Sequence, residues 1–63
     1  MKIHLHNPKR ETEIQGRLRA DELCRRLGLN RESVLIIRGD ELVTGDAVLD
    51  DGDTVEIRPV ISG

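Results

Sequence analysis

The fold reading turns on Asp53-Thr54-Val55-Glu56-Ile57-Arg58-Pro59-Val60-Ile61-Ser62-Gly63. Val55 and Ile57 alternate with Thr54, Glu56 and Arg58, the period of a strand with one buried face. Pro59 has no N–H to give to a ladder and is expected to end regular pairing. Val60, Ile61, Ser62 and Gly63 are expected to form a flexible tail. A strand that anchors such a tail presents a terminal carboxylate to something else. Gly63 has no Cβ, so its carboxylate suits a narrow channel.

Upstream of that strand, Asp50-Asp51-Gly52-Asp53 reads as a turn, and Gly45 to Asp53 as a loop plugged by Val48 and Leu49. Glu41 to Thr44 is a short return strand. Gly39-Asp40, with glycine first, suits a two-residue type II′ hairpin. Val34-Leu35-Ile36-Ile37 is an unbroken, β-branched-rich apolar run, which suggests a strand covered on both faces. We assign Leu35 and Ile37 to the helix side, and Val34, Ile36 and Arg38 to the outer side with Glu56 and Arg58. That aliphatic patch, rimmed by arginine and bordered by Pro59, is the expected partner-docking surface.

Before this run, Ala20, Leu23, Cys24 and Leu27 fall on one stripe of a helix over 20–27. Asp21 and Glu22 sit in its first turn and Arg25 and Arg26 in its last, as the helix dipole favours. Gly28 and Leu29 predict a Schellman-type stop, while Arg19 is a poor N-cap. Met1 to His6 alternates as a strand, Asn7-Pro8-Lys9-Arg10 is a turn, and Glu11 to Gly16 returns with Ile14 inward. Gly16 to Arg19 is a connector. The order predicts one α+β domain spanning 1–63: a mixed sheet of four to five strands with one helix packed on one face. The first and last strands are expected to be parallel neighbours at its centre.

Composition limits what such a domain does. A chain of 63 residues buries only about 60% of its unfolded surface, which leaves little room for a catalytic cavity. Ten Lys+Arg against twelve Asp+Glu, with no Phe, Trp or Tyr, argue against direct nucleic-acid binding. No apolar run of ~18 residues exists and no basic-then-apolar leader is seen, so no membrane contact and a cytoplasmic location are expected. The one cysteine, Cys24, agrees with a reducing compartment and is read as a small buried hydrophobe. His4 and His6 share a strand face but lack further ligands, so no metal is expected and both are read as solvated. No phosphate-binding G-x-x-x-x-G-K pattern and no catalytic triad or carboxylate pair is present.

In order, length and ending, the chain resembles the ubiquitin-like β-grasp fold, and more closely the ThiS/MoaD family of sulfur carriers. The resemblance rests on Ala20-Asp21-Glu22-Leu23 through Leu27-Gly28-Leu29, the hairpin Val34 to Leu42, the entry Asp51-Gly52-Asp53-Thr54-Val55-Glu56, and the ending Ile61-Ser62-Gly63. It implies a carrier that is not itself an enzyme. A separate adenylating enzyme would use ATP to activate Gly63, and sulfur would replace AMP to give a thiocarboxylate. A sulfur-accepting synthase or thiolase would then pass that sulfur into thiamine thiazole synthesis or tRNA thiolation. The chain itself would bind no cofactor and would be a monomer when free. The family ends in Gly-Gly and this sequence in Ser62-Gly63, so either a further glycine follows naturally or the usual activation does not occur. Two other readings stand beside it: a ubiquitin-like modifier joined to lysines through Gly63, and a β-grasp adaptor that docks without tail chemistry.

Overall fold

The strand carrying Val55 and Ile57 lies at the centre of a five-stranded sheet. A computed structural model describes residues 1–6 and 9–60; Asn7, Pro8 and the expected tail residues Ile61, Ser62 and Gly63 lie outside them. In chain order the elements are β1 (Lys2–Leu5), β2 (Arg10–Glu13), β3 (Leu18–Arg19), α1 (Ala20–Arg26), a 3₁₀ turn (Arg31–Ser33), β4 (Val34–Arg38), β5 (Glu41–Val43), β6 (Val48–Leu49) and β7 (Thr54–Pro59). The sheet runs β2-β1-β7-β4-β5, with β7 parallel to β1 and antiparallel to β4. A parallel pair needs a long crossover, and here the crossover carries the helix. The architecture is the α+β β-grasp arrangement, a mixed sheet with one helix on one face.

The core forms between that helix and the inner sheet face. Ile3, Ile36, Val55 and Ile57 come from the sheet, Ala20, Leu23 and Cys24 from α1, and Leu49 from β6. The helix stripe therefore packs as its spacing predicts. Arg19 makes no side-chain cap. Instead the Ala20 and Asp21 N–H groups donate to the Ala47 and Gly45 carbonyls at 2.9 and 2.8 Å, so a neighbouring loop satisfies the first turn. At the other end Leu29 N–H donates to Cys24 O and Gly28 N–H to Arg25 O, with Gly28 at φ 71°. That is the complete Schellman pair.

Four expectations change. The connector at Leu18–Arg19 and the plug at Val48–Leu49 pair with each other as a two-stranded ladder, Leu18 opposite Leu49. Two-residue strands are too short to show a period. Pro59 does not end β7 but stays in it opposite Val34. Val60 N–H then donates to Ser33 O at 2.8 Å. Antiparallel pairs alternate, so Pro59 falls where β4 asks for no N–H. β4 is not covered on both faces, because Leu35 is 42% exposed. Its phase is also the reverse of the expectation. Ile36, opposite Ile57, is 3% exposed and in the core, while Leu35 and Ile37 turn outward opposite Arg58 and Glu56.

Candidate functional site

β7 runs from the Asp50–Asp53 turn to the edge where residues 61–63 begin. Asp53 N–H donates to Asp50 O at 3.0 Å, and Asp53 Oδ2 accepts from Asp50 N–H at 2.8 Å, closing the entry turn on itself. At the exit Val60 is tethered to Ser33 through its N–H, yet the residue is 46% exposed. The last described residue is thus fixed in direction by the backbone while its side chain meets solvent.

The expected docking residues do not come together as one outward patch. Ile36 is core, and Val34 packs against that core from the same face. Arg38 shares that side, and its guanidinium donates to Val48 O at 2.9 Å. Arg58 lies on the outer face as assigned, with Glu56; Pro59 is half-buried at its edge. The physical reason is that a run of four apolar residues contains no alternation, so either phase is compatible with it. Register with β7 decides. Placing Ile36 outward would have sent Ile57 outward with it and opened the core.

The outer face has a different apolar patch. Leu35 and Ile37 of β4 lie beside Leu42 of β5, which is opposite Ile37 and 62% exposed. Arg58 and Glu56 flank them on β7, and His4 continues the row on β1 opposite Glu56. Leu42 escaped the sequence reading, although its position opposite Ile37 across the two-residue turn would have shown it once the phase of β4 was known.

Charges beside this patch are engaged with one another. Glu56 accepts from Arg58 Nε at 2.8 Å and faces His6 Nε2 at 3.1 Å. The Arg58 hydrogen bond, and after it the neighbouring His6 imidazole, hold the Glu56 carboxyl below its ordinary value. His4 Nδ1 faces Glu11 Oε2 at 3.3 Å. The histidines, read as solvated, are therefore each set against a glutamate. His6 Nε2 is shut off from solvent, and Glu56 is its polar neighbour.

Cys24 is buried in the helix stripe, and burial pushes its thiol up, away from the thiolate a nucleophile needs. Asp50 pairs with Arg17 at 3.0 Å, and Asp51 accepts from Gly16 N–H at 2.6 Å, so the acidic turn is engaged structurally. Among the described residues no group of three or more His, Cys, Asp or Glu is arranged to hold a metal ion. Among them, too, no helix is long and apolar enough to cross a membrane.

Comparison with known proteins agrees with this arrangement along the whole chain. The ThiS family pattern matches residues 3–63. The chain is also 39% identical over 64 aligned residues to the sulfur carrier protein TtuB of Thermus thermophilus, covering 100% of this chain and 98% of that protein. A β-grasp sheet whose central strand leads directly into the terminal residues, matched from β1 to Gly63, shows that the chain belongs to the ThiS family.

Proposed function

We propose that this protein is a sulfur carrier whose working group is the Gly63 carboxylate. The observation that carries the reading is that the family match does not stop at the folded domain but runs through the tail to residue 63. The similarity to a sulfur carrier likewise spans the whole chain. A free carboxylate is a poor acylating group, and this sequence has no phosphate-binding loop to hold ATP. Activation accordingly falls to a separate adenylating enzyme, which uses ATP and leaves Gly63 as a mixed anhydride with AMP. Sulfide attacks the carbonyl, AMP departs and a thiocarboxylate remains; where a persulfide attacks instead, a second thiol cleaves the resulting acyl disulfide, forming a disulfide with the donor sulfur's carrier and leaving the thiocarboxylate. The sulfur is then donated in thiamine thiazole synthesis or tRNA thiolation. The carrier is a co-substrate in this scheme, not a catalyst.

Docking is assigned to the outer sheet face. Leu35, Ile37 and Leu42 supply an apolar centre, and Arg58 and Glu56 supply a charged rim beside the root of the tail. Val34, Ile36 and Arg38 have no part in it. Pro59 and Val60 border that face, so one partner could hold the sheet and receive the residues that follow.

The test is intact mass after incubation with ATP, sulfide and the cognate adenylating enzyme. Exchange of one oxygen for sulfur adds about 16 Da. A carrier that drives pyrophosphate release but gains no mass would point to the lysine-modifier reading. One that does neither would leave only the adaptor reading.

A further inference from the structure

The five-stranded sheet ends in two open edges, β2 and β5. Backbone phase decides what each edge offers. Gly39 N–H donates to Thr54 O at 3.0 Å and Val60 N–H to Ser33 O at 2.8 Å, so the odd-numbered residues of β4 bond toward β7. Ile36 and Arg38 then bond the other way, to Val43 and Glu41. Leu42 lies between those two, so its N–H and C=O point away from the sheet at the free edge. At the opposite side Ile14 N–H donates to Met1 O at 3.0 Å, and the same alternation turns the N–H and C=O groups of Glu11 and Glu13 outward.

The two edges are finished differently. β2 reads Arg10-Glu11-Thr12-Glu13, with no apolar residue for an added strand to cover. Charge along an edge is one way sheets discourage further pairing. β5 reads Glu41-Leu42-Val43, and its central side chain is 62% exposed. β5 also stops at Val43, opposite Ile36, two residues short of the start of β4 at Val34. At this step lies a groove of about 190 Å³ whose walls include Arg31, Val34, Leu35, Ile36, Leu42 and Val43. It is below the size of a small-molecule pocket and suits a single aliphatic side chain.

Charge at the start of β5 adds to the description of an occupant. Arg38 stands opposite Glu41 but donates to Val48 O instead. Glu41 and its neighbour Asp40 are exposed, and among the described residues neither has an ion pair. Resting on the docking reading above, we propose that β5 is the edge to which that partner adds a strand: an extended segment with a basic residue opposite Glu41 and aliphatic residues opposite Leu42 and Val43. Hydrogen bonds to the Leu42 N–H and C=O fix its register. The residue opposite Leu42 continues the outer apolar face of Leu35 and Ile37, and the one opposite Val43 lies at the groove. The partner holds the carrier by an edge and a face at once.

The test follows single backbone amides. The full chain is bound to the cognate adenylating enzyme without ATP, and amide exchange is read free and bound. Leu42 should exchange readily in the free chain and at least about tenfold more slowly in the complex, while Glu11 and Glu13 on the other edge stay unchanged. Leu42→Pro removes the N–H without breaking a bond inside the chain. It should bind at least about tenfold more weakly than Leu42→Ala, which loses the side chain and keeps the N–H. Glu41→Lys should weaken binding in low salt and much less in high salt. A complex in which Leu42 exchanges as fast as in the free chain overturns strand addition and leaves docking through the outer face standing. Equal binding by Leu42→Pro and Leu42→Ala overturns it as well. A Glu41→Lys chain that binds normally at low salt overturns the basic residue assigned to the occupant. Normal binding by Ile37→Asp, which leaves the edge intact, sinks the outer-face reading instead. An enzyme that does not bind the unaltered chain sinks both together.

Discussion

Ile36 and Leu35 are adjacent residues with opposite fates. Ile36 fills the core opposite Ile57, so Ile36→Ala should cost about 2–5 kcal/mol, most or all of what a domain this small has. Ile36→Asp should not fold. Leu35→Asp should shift the urea midpoint by no more than about 0.5 kcal/mol in stability while weakening capture by the adenylating enzyme at least tenfold. A Leu35→Asp chain that binds normally would remove the outer patch from the docking scheme. Cys24 gives a third residue-scale test. Burial raises its thiol first, the Asp21 charge adds to that, and Arg31 opposes it. A thiol-specific reagent should label Cys24 only as urea unfolds the chain, with labelling tracking the unfolding curve.

At the scale of elements, helix α1 is held by its ends as much as by its stripe. Gly28 sits at φ 71° with open space where a Cβ would go, so the penalty for Gly28→Ala is backbone strain alone. That is about 1 kcal/mol, or a drop in Tm of roughly 4–8 °C. Gly52, equally open but without a positive φ, is the control: Gly52→Ala should leave Tm unchanged or raise it by a few degrees. Equal losses at both positions in a thermal melt would contradict the capping account. Gly45 has a different reason to be glycine. Its carbonyl caps Asp21, and a Cβ there would run into the ion pair between the Asp21 carboxylate and the Arg31 guanidinium. Sequence reading found the weak N-cap at Arg19 but not its remedy, since the capping carbonyls of Gly45 and Ala47 come from far along the chain.

Across the whole molecule, acid sensitivity follows from two depressed carboxyls. The Thr44 hydroxyl bonds Asp46 and the Arg58 guanidinium bonds Glu56, with the His6 imidazole close by; each carboxyl is held below its ordinary value. A carboxyl with a lower folded than unfolded pKa binds fewer protons when folded. Its contribution is therefore present above the unfolded value and lost as pH falls through the folded one. Stability should rise with pH through the carboxylate range, about pH 3 to 5, and Glu56→Gln should flatten that rise. Thermal melts across this range would show it, and an unchanged slope in Glu56→Gln would mean that the exposed Glu56–Arg58 pair is screened by solvent.

The β-grasp order, the helix and its Schellman stop and the central parallel pair were legible in the sequence from alternation at Val55 and Ile57, a stripe at Ala20, Leu23, Cys24 and Leu27, and glycine at position 28. The docking face was not. The run Val34 to Ile37 satisfies either strand phase, so only pairing with β7 chose Ile36 for the core and released Leu35 and Ile37, with Leu42 beside them, to the outside. Local spacing set what each segment becomes. Which face each strand shows was decided by burial across strands distant in sequence, where one buried position fixes all the others two residues apart.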